Sequence, residues 1–141
     1  MKLNLTVQQI IDAAGALQQL AKMSFRDAKL SYAIIRNIRV TRPIAEDFEK
    51  AKNVLMAQYP AEQEGNLIKI KFTGPEDRAS FQMEYDKLFK TEEALDIWEL
   101  SIVALLASDA GVTAEQILML GPFAVDDVPE SDTPLRLKPG E

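Results

Sequence analysis

The chain has 141 residues, of which 47% are hydrophobic and 27% charged, a balance typical of one globular domain that folds without disulfides. It contains no cysteine and no histidine, which excludes thiol nucleophiles, imidazole bases and the sulfur and nitrogen ligands of most zinc and iron–sulfur sites. No cofactor is therefore expected. The available chemistry is that of carboxylates, lysine, tyrosine and hydroxyl groups.

The N-terminal segment predicts a capped helix. Thr6 and Gln9 fit a capping box, with Leu5 and Ile10 at the staple positions on either side. Apolar residues then recur every three or four positions, which predicts a helix of about four turns ending near Lys22. Its polar interruptions differ from the apolar centre of a signal peptide, and no apolar run approaches a membrane span, so we expect a cytoplasmic protein that does not enter a membrane.

A second, longer helix follows almost at once. Ser24 and Asp27 repeat the start signal, and the two-residue gap at Met23-Ser24 predicts an antiparallel helical hairpin, with a sharp corner as the alternative. Pro43 removes a backbone donor inside this pattern, so the helix either kinks there or restarts with Thr41 as its cap. We favour a bent, nearly continuous helix.

A strand and a covering helix are predicted next. Residues 67–72 alternate with a period of two, which is typical of a half-exposed strand with Ile68, Ile70 and Phe72 facing the core. Pro75 and two acids then open a helix that should end near Thr91. Its predicted apolar face consists of Phe81, Tyr85, Leu88 and Phe89.

The C-terminal part combines an ambiguous segment with a well-marked helix. Residues 94–107 fit both a strand and a helix, and we prefer a strand at about 95–103 because it would pair with the strand at 67–72. Thr113 and Gln116 form a second capping box, and Gly121 with Pro122 ends that helix.

These elements predict an α+β fold that is mainly α. It combines a long helical hairpin with a small two-stranded sheet, a covering helix and a short C-terminal helix, in a single domain over residues 1–124. Residues 125–141 are acidic, contain three prolines and lack aromatic residues, which predicts a disordered tail. The hairpin should build the main core, from Ile10, Leu17, Ile35, Phe48 and Leu55.

Charge is strongly segregated along the chain. Residues 22–42 carry a local charge of +5, whereas the whole chain carries −6, so the remainder carries −11. Residues 91–135 contain ten acids and no lysine or arginine. Within the basic stretch, the residues predicted to bind a partner are Arg26, Lys29, Arg36, Arg39 and Arg42.

The basic stretch has three possible roles. It can be a solvated face that pairs with the protein's own acidic half, or it can dock an acidic partner protein or a second copy of the chain. Nucleic-acid binding is disfavoured, because the acidic body repels phosphates and the stretch holds only two aromatic residues, Phe25 and Tyr32.

Enzyme and metal signatures are lacking. The chain has no phosphate loop, dinucleotide motif or nucleophile elbow, and Trp98 is expected to pack rather than to hold a sugar. The acidic clusters at 92–99 and 126–132 lack the glycine and the spacing of a calcium loop. We therefore expect neither an enzyme nor a metal site, with a small carboxylate-dependent enzyme as the least favoured function.

The layout of residues 5–124 resembles a family of small proteins encoded by tailed bacteriophages and prophages. The similarity lies in the order of elements and in three stretches: Phe81-x-x-x-Tyr85-x-x-Leu88-Phe89-x-Thr91-Glu92, Leu95-Asp96-Ile97-Trp98 and Thr113-x-x-x-Ile117-x-x-Leu120-x-Pro122-Phe123. It implies a non-enzymatic accessory protein of the host-cell cytoplasm, for instance in virion tail or head assembly, and it transfers no functional residue. The alternative is an inhibitor of a host nucleic-acid enzyme or antiphage defence complex, whose acidic half imitates nucleic-acid charge.

Overall fold

The computed structural model describes residues 2–65, 67–72 and 74–126. The chain is mainly helical with short strands, which confirms the α+β, mainly α, fold class. A single 3-10 turn at Gly121–Phe123 follows the last helix. In chain order the elements are β1 (Lys2–Thr6), α1 (Val7–Leu20), α2 (Ala28–Met56), β2 (Ala61–Glu64), β3 (Leu67–Ile70), α3 (Pro75–Lys90), β4 (Glu92–Asp96), β5 (Leu100–Ser101), α4 (Ile102–Ala107), α5 (Ala114–Leu120) and β6 (Ala124–Val125).

Helices α1 and α2 pack against each other as an antiparallel hairpin. Val7, at the start of α1, lines the same cavity as Ile44 and Phe48 in the second half of α2. The capping box that begins α1 is present, because the Gln9 amide donates to Thr6 Oγ1 and the Thr6 amide donates to Gln9 Oε1. The predicted start of the first helix is thus confirmed.

The connection between the two helices is longer than the predicted two-residue gap at Met23-Ser24, since it covers residues 21–27. Asp27, not Ser24, caps α2, and its Oδ1 accepts the Leu30 amide at 3.1 Å. Asp27 can do this because it stands three residues before the amide it caps, at the N-cap position itself.

Helix α2 runs for 29 residues and passes through Pro43 without a break. Thr41 does not cap a new helix, because its hydroxyl donates back to the carbonyls of Asn37, at 2.9 Å, and Ile38, at 3.3 Å. The continuity that we favoured is confirmed, and the bend at Pro43 stays a prediction.

The core confirms three of the five side chains predicted to be buried. Ile10 and Leu17 are fully enclosed and Phe48 is 9% exposed, whereas Leu55 is half-buried. Ile35 is 49% exposed, so its predicted burial is wrong. Its neighbour Ile34 points inward instead, and one residue further along a helix turns the side chain by about 100°, toward solvent. The C-terminal elements also contribute buried residues, namely Leu100, Leu105, Leu120 and Phe123.

Within the described residues, the strands form three separate two-stranded ladders instead of the single predicted sheet. Antiparallel pairs join β1 to β4 and β2 to β3, and a short parallel pair joins β5 to β6. The predicted strand at 95–103 is present only in part, because residues 95–96 belong to β4 and 100–101 to β5, whereas residues 97–99 lie outside any strand. Residues 102–103 belong to α4, which Ser101 caps by accepting the Ala104 amide at 3.1 Å. The predicted pairing is also wrong, since β3 pairs with its sequence neighbour β2.

Helix α3 covers the second half of α2 through a cluster of aromatic rings. Its predicted face is present but half-buried, and α3 has no fully buried side chain. The rings of Phe81 and Tyr85 lie 5.5 Å apart, and Phe81 also contacts Tyr59 and Phe72. Helix α3 is therefore held mainly by ring contacts at the edge of the core.

The C-terminal helix α5 begins at the predicted capping box, in which Thr113 and Gln116 exchange amide hydrogen bonds. Gly121, with a φ of 53°, ends it as predicted. Val125, the first residue of the predicted tail, pairs with Ser101 in the β5–β6 ladder. Residues 127–141 lie outside the described residues, and their predicted disorder stays a prediction.

Deleting residues 127–141 is expected to change the free energy of unfolding by less than about 1 kcal/mol, the range of isolated surface contacts. The reason is that residues 127–141 contain three prolines and no aromatic residue, so they offer little apolar surface for burial. Urea unfolding of the full chain and of a chain ending at Asp126 measures the difference. A loss of several kcal/mol would show that the deleted segment completes the core.

Candidate protein-docking face

One side of α2 brings cations and exposed apolar side chains together. Lys29, Tyr32, Arg36 and Arg39 follow each other at three- and four-residue intervals, which places them on one face of the helix. Lys29 and Arg39 are exposed, Tyr32 is 51% exposed and Arg36 is half-buried. We use the name basic–aromatic face for this surface, which consists of Lys29, Tyr32, Ile35, Arg36, Arg39 and the neighbouring Trp98.

Trp98 is fixed to α2 by its main chain. It stands in the short segment between β4 and β5, outside any strand ladder. The Asn37 side chain replaces a ladder there: Asn37 Nδ2 donates to the Trp98 carbonyl at 2.7 Å, and the Trp98 amide donates to Asn37 Oδ1 at 2.8 Å. Asn37 is fully buried, so this pair of bonds satisfies polar groups that water could not easily reach.

The Trp98 ring packs edge-on against Tyr32. The ring centroids lie 5.2 Å apart with an interplanar angle of 80°, a favourable geometry for aromatic pairs. Trp98 nevertheless remains 40% exposed, so the pair is ordered on one side and open to solvent on the other. Trp98 therefore packs, as expected, on the side of its ring that faces Tyr32, and the other side is exposed to solvent.

The five predicted partner-binding residues do not all share this face. Lys29, Arg36 and Arg39 lie on it, whereas Arg26 is exposed in the connection before α2. Arg42 lines a groove of about 510 Å³ between α1 and α2. The structure therefore brings three of the five residues together.

Within the described residues, none of these five cations forms an ion pair. One hypothesis was that the basic stretch pairs with the protein's own acidic half. No ion pair among the described residues supports it. Arg36 Nε is enclosed and has no hydrogen-bond partner there, which indicates that the side chain packs along the surface.

Sequence reasoning missed the apolar half of this face. Tyr32 could have been included, since it stands three residues after Lys29 and four before Arg36, on the same helical stripe. Trp98 and Asn37 are 61 residues apart, and no local pattern signals their contact.

The acidic clusters form no comparable site in the described part of the chain. Glu92 and Glu93 are exposed on β4, and no three described acids gather closely enough to hold a metal ion. No described helix combines the length and the apolar character that a membrane crossing needs.

No protein-family model, curated protein or solved structure shows significant similarity to this chain. The basic–aromatic face therefore has to be interpreted from its own geometry and charge.

Proposed function

We propose that this chain is a non-enzymatic binding protein that docks an acidic partner protein through the basic–aromatic face. The observation that carries this proposal is the half-exposed Tyr32–Trp98 pair, fixed by Asn37 and lying beside cations that have no ion pair among the described residues. Tryptophan, tyrosine and arginine dominate the binding energy of protein interfaces. A pair that is already ordered loses less freedom on binding.

The face also indicates the chemistry of its partner. From Lys29 to Arg39 the helix rises by about 15 Å, which suits one short helix or extended segment. Such a segment would place an apolar side chain against Tyr32 and Trp98 and carboxylates near Arg36 and Arg39. The cations would speed the encounter and the aromatic pair would slow dissociation.

A role in phage or prophage virion assembly rests on the layout of the elements alone and is proposed on that basis. Self-association would instead use the cations of α2, with a second copy of this acidic chain as the partner. The second candidate is an inhibitor that imitates nucleic-acid charge. It would bind through acidic side chains and not through the cations of α2. The exposed acids Glu92 and Glu93 on β4 are the observation that favours it.

A matched pair of variants tests the docking face. Lys29→Gln/Arg36→Gln/Arg39→Gln removes its three cations, whereas Lys22→Gln/Lys50→Gln/Lys90→Gln removes three exposed cations elsewhere. Both variants change the net charge from −6 to −9. The wild-type protein is used to capture binding proteins from extracts of the cells that produce it, and these partners are purified. The rate at which each partner associates with the wild type and with each variant is then measured at several salt concentrations. We expect the face variant to slow association by about tenfold and to flatten its salt dependence.

The control variant should stay within about twofold of the wild type at 0.15 M salt, because distant exposed charges are screened there. If both variants slowed association equally, the effect would come from net charge alone, which would contradict the docking face. Binding that Glu92→Gln/Glu93→Gln abolishes, with the face variant unaffected, would favour the inhibitor. Tight binding of the wild type to duplex DNA at low salt, lost in the face variant, would establish nucleic acid as the ligand instead.

A further inference from the structure

A cavity lies between the C-terminal end of α2, the strand β3 and helix α3, and it shares no residue with the basic–aromatic face. Its volume is about 390 Å³, within the range of about 300 to 1,000 Å³ that is typical of small-molecule sites. We use the name aromatic cavity for it. Its apolar wall consists of five half-buried side chains, which are Met56, Ile70, Phe72, Phe81 and Tyr85.

The rings of this wall hold each other in place. The Phe81 ring centroid lies 5.6 Å from that of Phe72 and 5.5 Å from that of Tyr85. Tyr59 packs edge-on against Phe81, with the ring centroids 5.4 Å apart. These spacings are favourable for aromatic pairs. Because the rings are already ordered, a ligand that packs against them would lose little binding energy to their rearrangement.

The charge that lines the cavity is opposite to that of the chain. The chain has 22 acidic residues and a net charge of −6. Among the described residues, no aspartate or glutamate lines the cavity, and its charged lining residues are Lys52 and Lys69. A neighbouring cavity of about 680 Å³ shares Phe72 and Phe81 with it, and its one charged lining residue in the described chain is Arg78. The Arg78 guanidinium lies 4.8 Å from the Phe72 ring centroid, so the ring wall has cations on both cavities.

Lys52 is held at the cavity by an acid that does not line it. Lys52 Nζ lies 2.7 Å from Glu49 Oε1, one helical turn earlier, and the Lys52 side chain is 27% exposed. Glu49 is not part of the cavity lining, so it orients the ammonium group without placing a carboxylate in the cavity. An ammonium group has three donors, and the contact with Glu49 leaves donors for a second anion.

We propose that the aromatic cavity binds a small aromatic molecule that carries an anionic group. The ring system of the ligand would lie against Phe72, Phe81 and Tyr85, and its anionic group would approach the ammonium groups of Lys52 and Lys69. A neutral aromatic molecule would bury the same apolar area but would gain no charge-assisted hydrogen bond. An anion without rings would leave the apolar wall exposed. This site does not rest on the proposed function.

The dye anilinonaphthalene sulfonate is a probe for this site, because it is an aromatic anion whose fluorescence rises in apolar surroundings. We expect saturable binding of one dye per chain with a Kd on the order of 10 to 100 µM, which is the affinity that the usual efficiency of drug-sized ligands gives. Phenylnaphthylamine has the same rings but no sulfonate. It should bind at least about tenfold more weakly, because it forms no charge-assisted hydrogen bond.

A matched pair of charge variants locates the sulfonate. Lys52→Gln/Lys69→Gln removes the two cations of the cavity, whereas Lys50→Gln/Lys90→Gln removes two exposed cations that do not line it. Both variants change the net charge from −6 to −8. The cavity variant should raise the Kd of the sulfonate dye by about tenfold and leave that of the neutral dye unchanged. The control should stay within about twofold of the wild type at 0.15 M salt.

A second pair of variants locates the ring system. Phe81 and Phe89 are both half-buried on α3 and both contact Tyr85, but Phe89 lines neither of the two cavities. Phe81→Leu should raise the Kd of both dyes by about fivefold, because an aromatic contact is lost. Phe89→Leu should leave both Kd values within about twofold of the wild type. Far-ultraviolet circular dichroism checks that both variants are folded.

Each of three results would overturn the proposal: no saturable binding at millimolar sulfonate dye, equal losses in the two charge variants, or equal affinity for the charged and the neutral dye. A competition experiment tests the size of the ligand. Naphthalene sulfonate should displace the dye. Displacement by a single-stranded oligonucleotide but not by naphthalene sulfonate would overturn the small-molecule site in favour of a nucleic-acid strand, whose bases also stack on aromatic side chains. These measurements do not involve the basic–aromatic face, so their failure leaves the proposed function unaffected.

Discussion

Replacing Phe48 with alanine is expected to lower the free energy of unfolding by about 3 to 5 kcal/mol, the usual range for a buried phenylalanine. Phe48 is 9% exposed, and its ring centroid lies 5.0 Å from that of Phe89 and 6.2 Å from that of Tyr85. It therefore joins α2 to α3. Since α3 has no fully buried side chain of its own, few other contacts can compensate for the cavity.

Urea unfolding of Phe48→Ala measures this loss, and Val54→Ala is its matched control on the same helix. Val54 is 65% exposed, so its truncation should change stability by no more than about 0.5 kcal/mol. A loss below about 1 kcal/mol for Phe48→Ala would contradict the packing of α3 on α2, because burial of this ring would then contribute almost nothing.

The helix starts could be predicted because their signals are local. Thr6 and Gln9, like Thr113 and Gln116, are three residues apart, and their reciprocal bonds form as soon as the first turn does. Pro75 likewise starts α3 at the position where a missing amide costs nothing. Interactions of this range are fully contained in a short stretch of sequence.

The strand pairs could not be predicted in the same way. Thr6 pairs with Glu92 and Lys2 with Asp96, so the β1–β4 ladder joins two segments that are far apart in the sequence, and nothing local specifies that register. Glu62 and Gln63 of β2 are polar and lack the alternation that identified β3, although they pair with it. Short ladders of this kind are decided by tertiary packing and not by propensity.

The spacing of apolar residues in α2 does not decide which of two neighbouring residues faces the core. Ile34 and Ile35 both fit a three- and four-residue spacing, and the choice between them depends on where α1 packs. Once Ile34 is inside, Ile35 is placed on the outer side next to Tyr32. The residue that was wrongly assigned to the core thereby becomes part of the candidate site.

The candidate site also has one half that can be predicted from the sequence and one half that depends on tertiary packing. Its cations lie on one helix at regular spacing, so their grouping follows from sequence alone. Its aromatic half depends on Asn37 and Trp98, which meet only because β4, β5 and α2 pack together. A buried asparagine on an apolar face is the one signal that hints at such a contact, since buried polar groups need partners.

Replacing Asn37 with alanine is expected to lower the free energy of unfolding by about 2 to 4 kcal/mol, because two main-chain groups of Trp98 lose their partners together. The near-ultraviolet circular dichroism of Trp98 should weaken as well, since its ring is no longer held against Tyr32. Both properties are measured on the isolated protein.

Thr41→Val is the matched control for this substitution. Thr41 is also buried on α2, but its hydroxyl bonds only to carbonyls of its own helix, and valine keeps its shape. We expect a change of at most about 1 kcal/mol and an unaltered Trp98 signal. Equal losses in both variants would reduce Asn37 to a general packing role.

The two kinds of variant should also separate in binding kinetics. Asn37 is fully buried and cannot touch a partner, so it can act on binding only through the position of Trp98. Losing the Lys29, Arg36 and Arg39 charges should slow association, whereas Asn37→Ala should leave association and its salt dependence unchanged and speed dissociation by about tenfold. If Asn37→Ala instead slowed association as strongly as the charge variant does, the division of the face into steering cations and an aromatic anchor would be wrong.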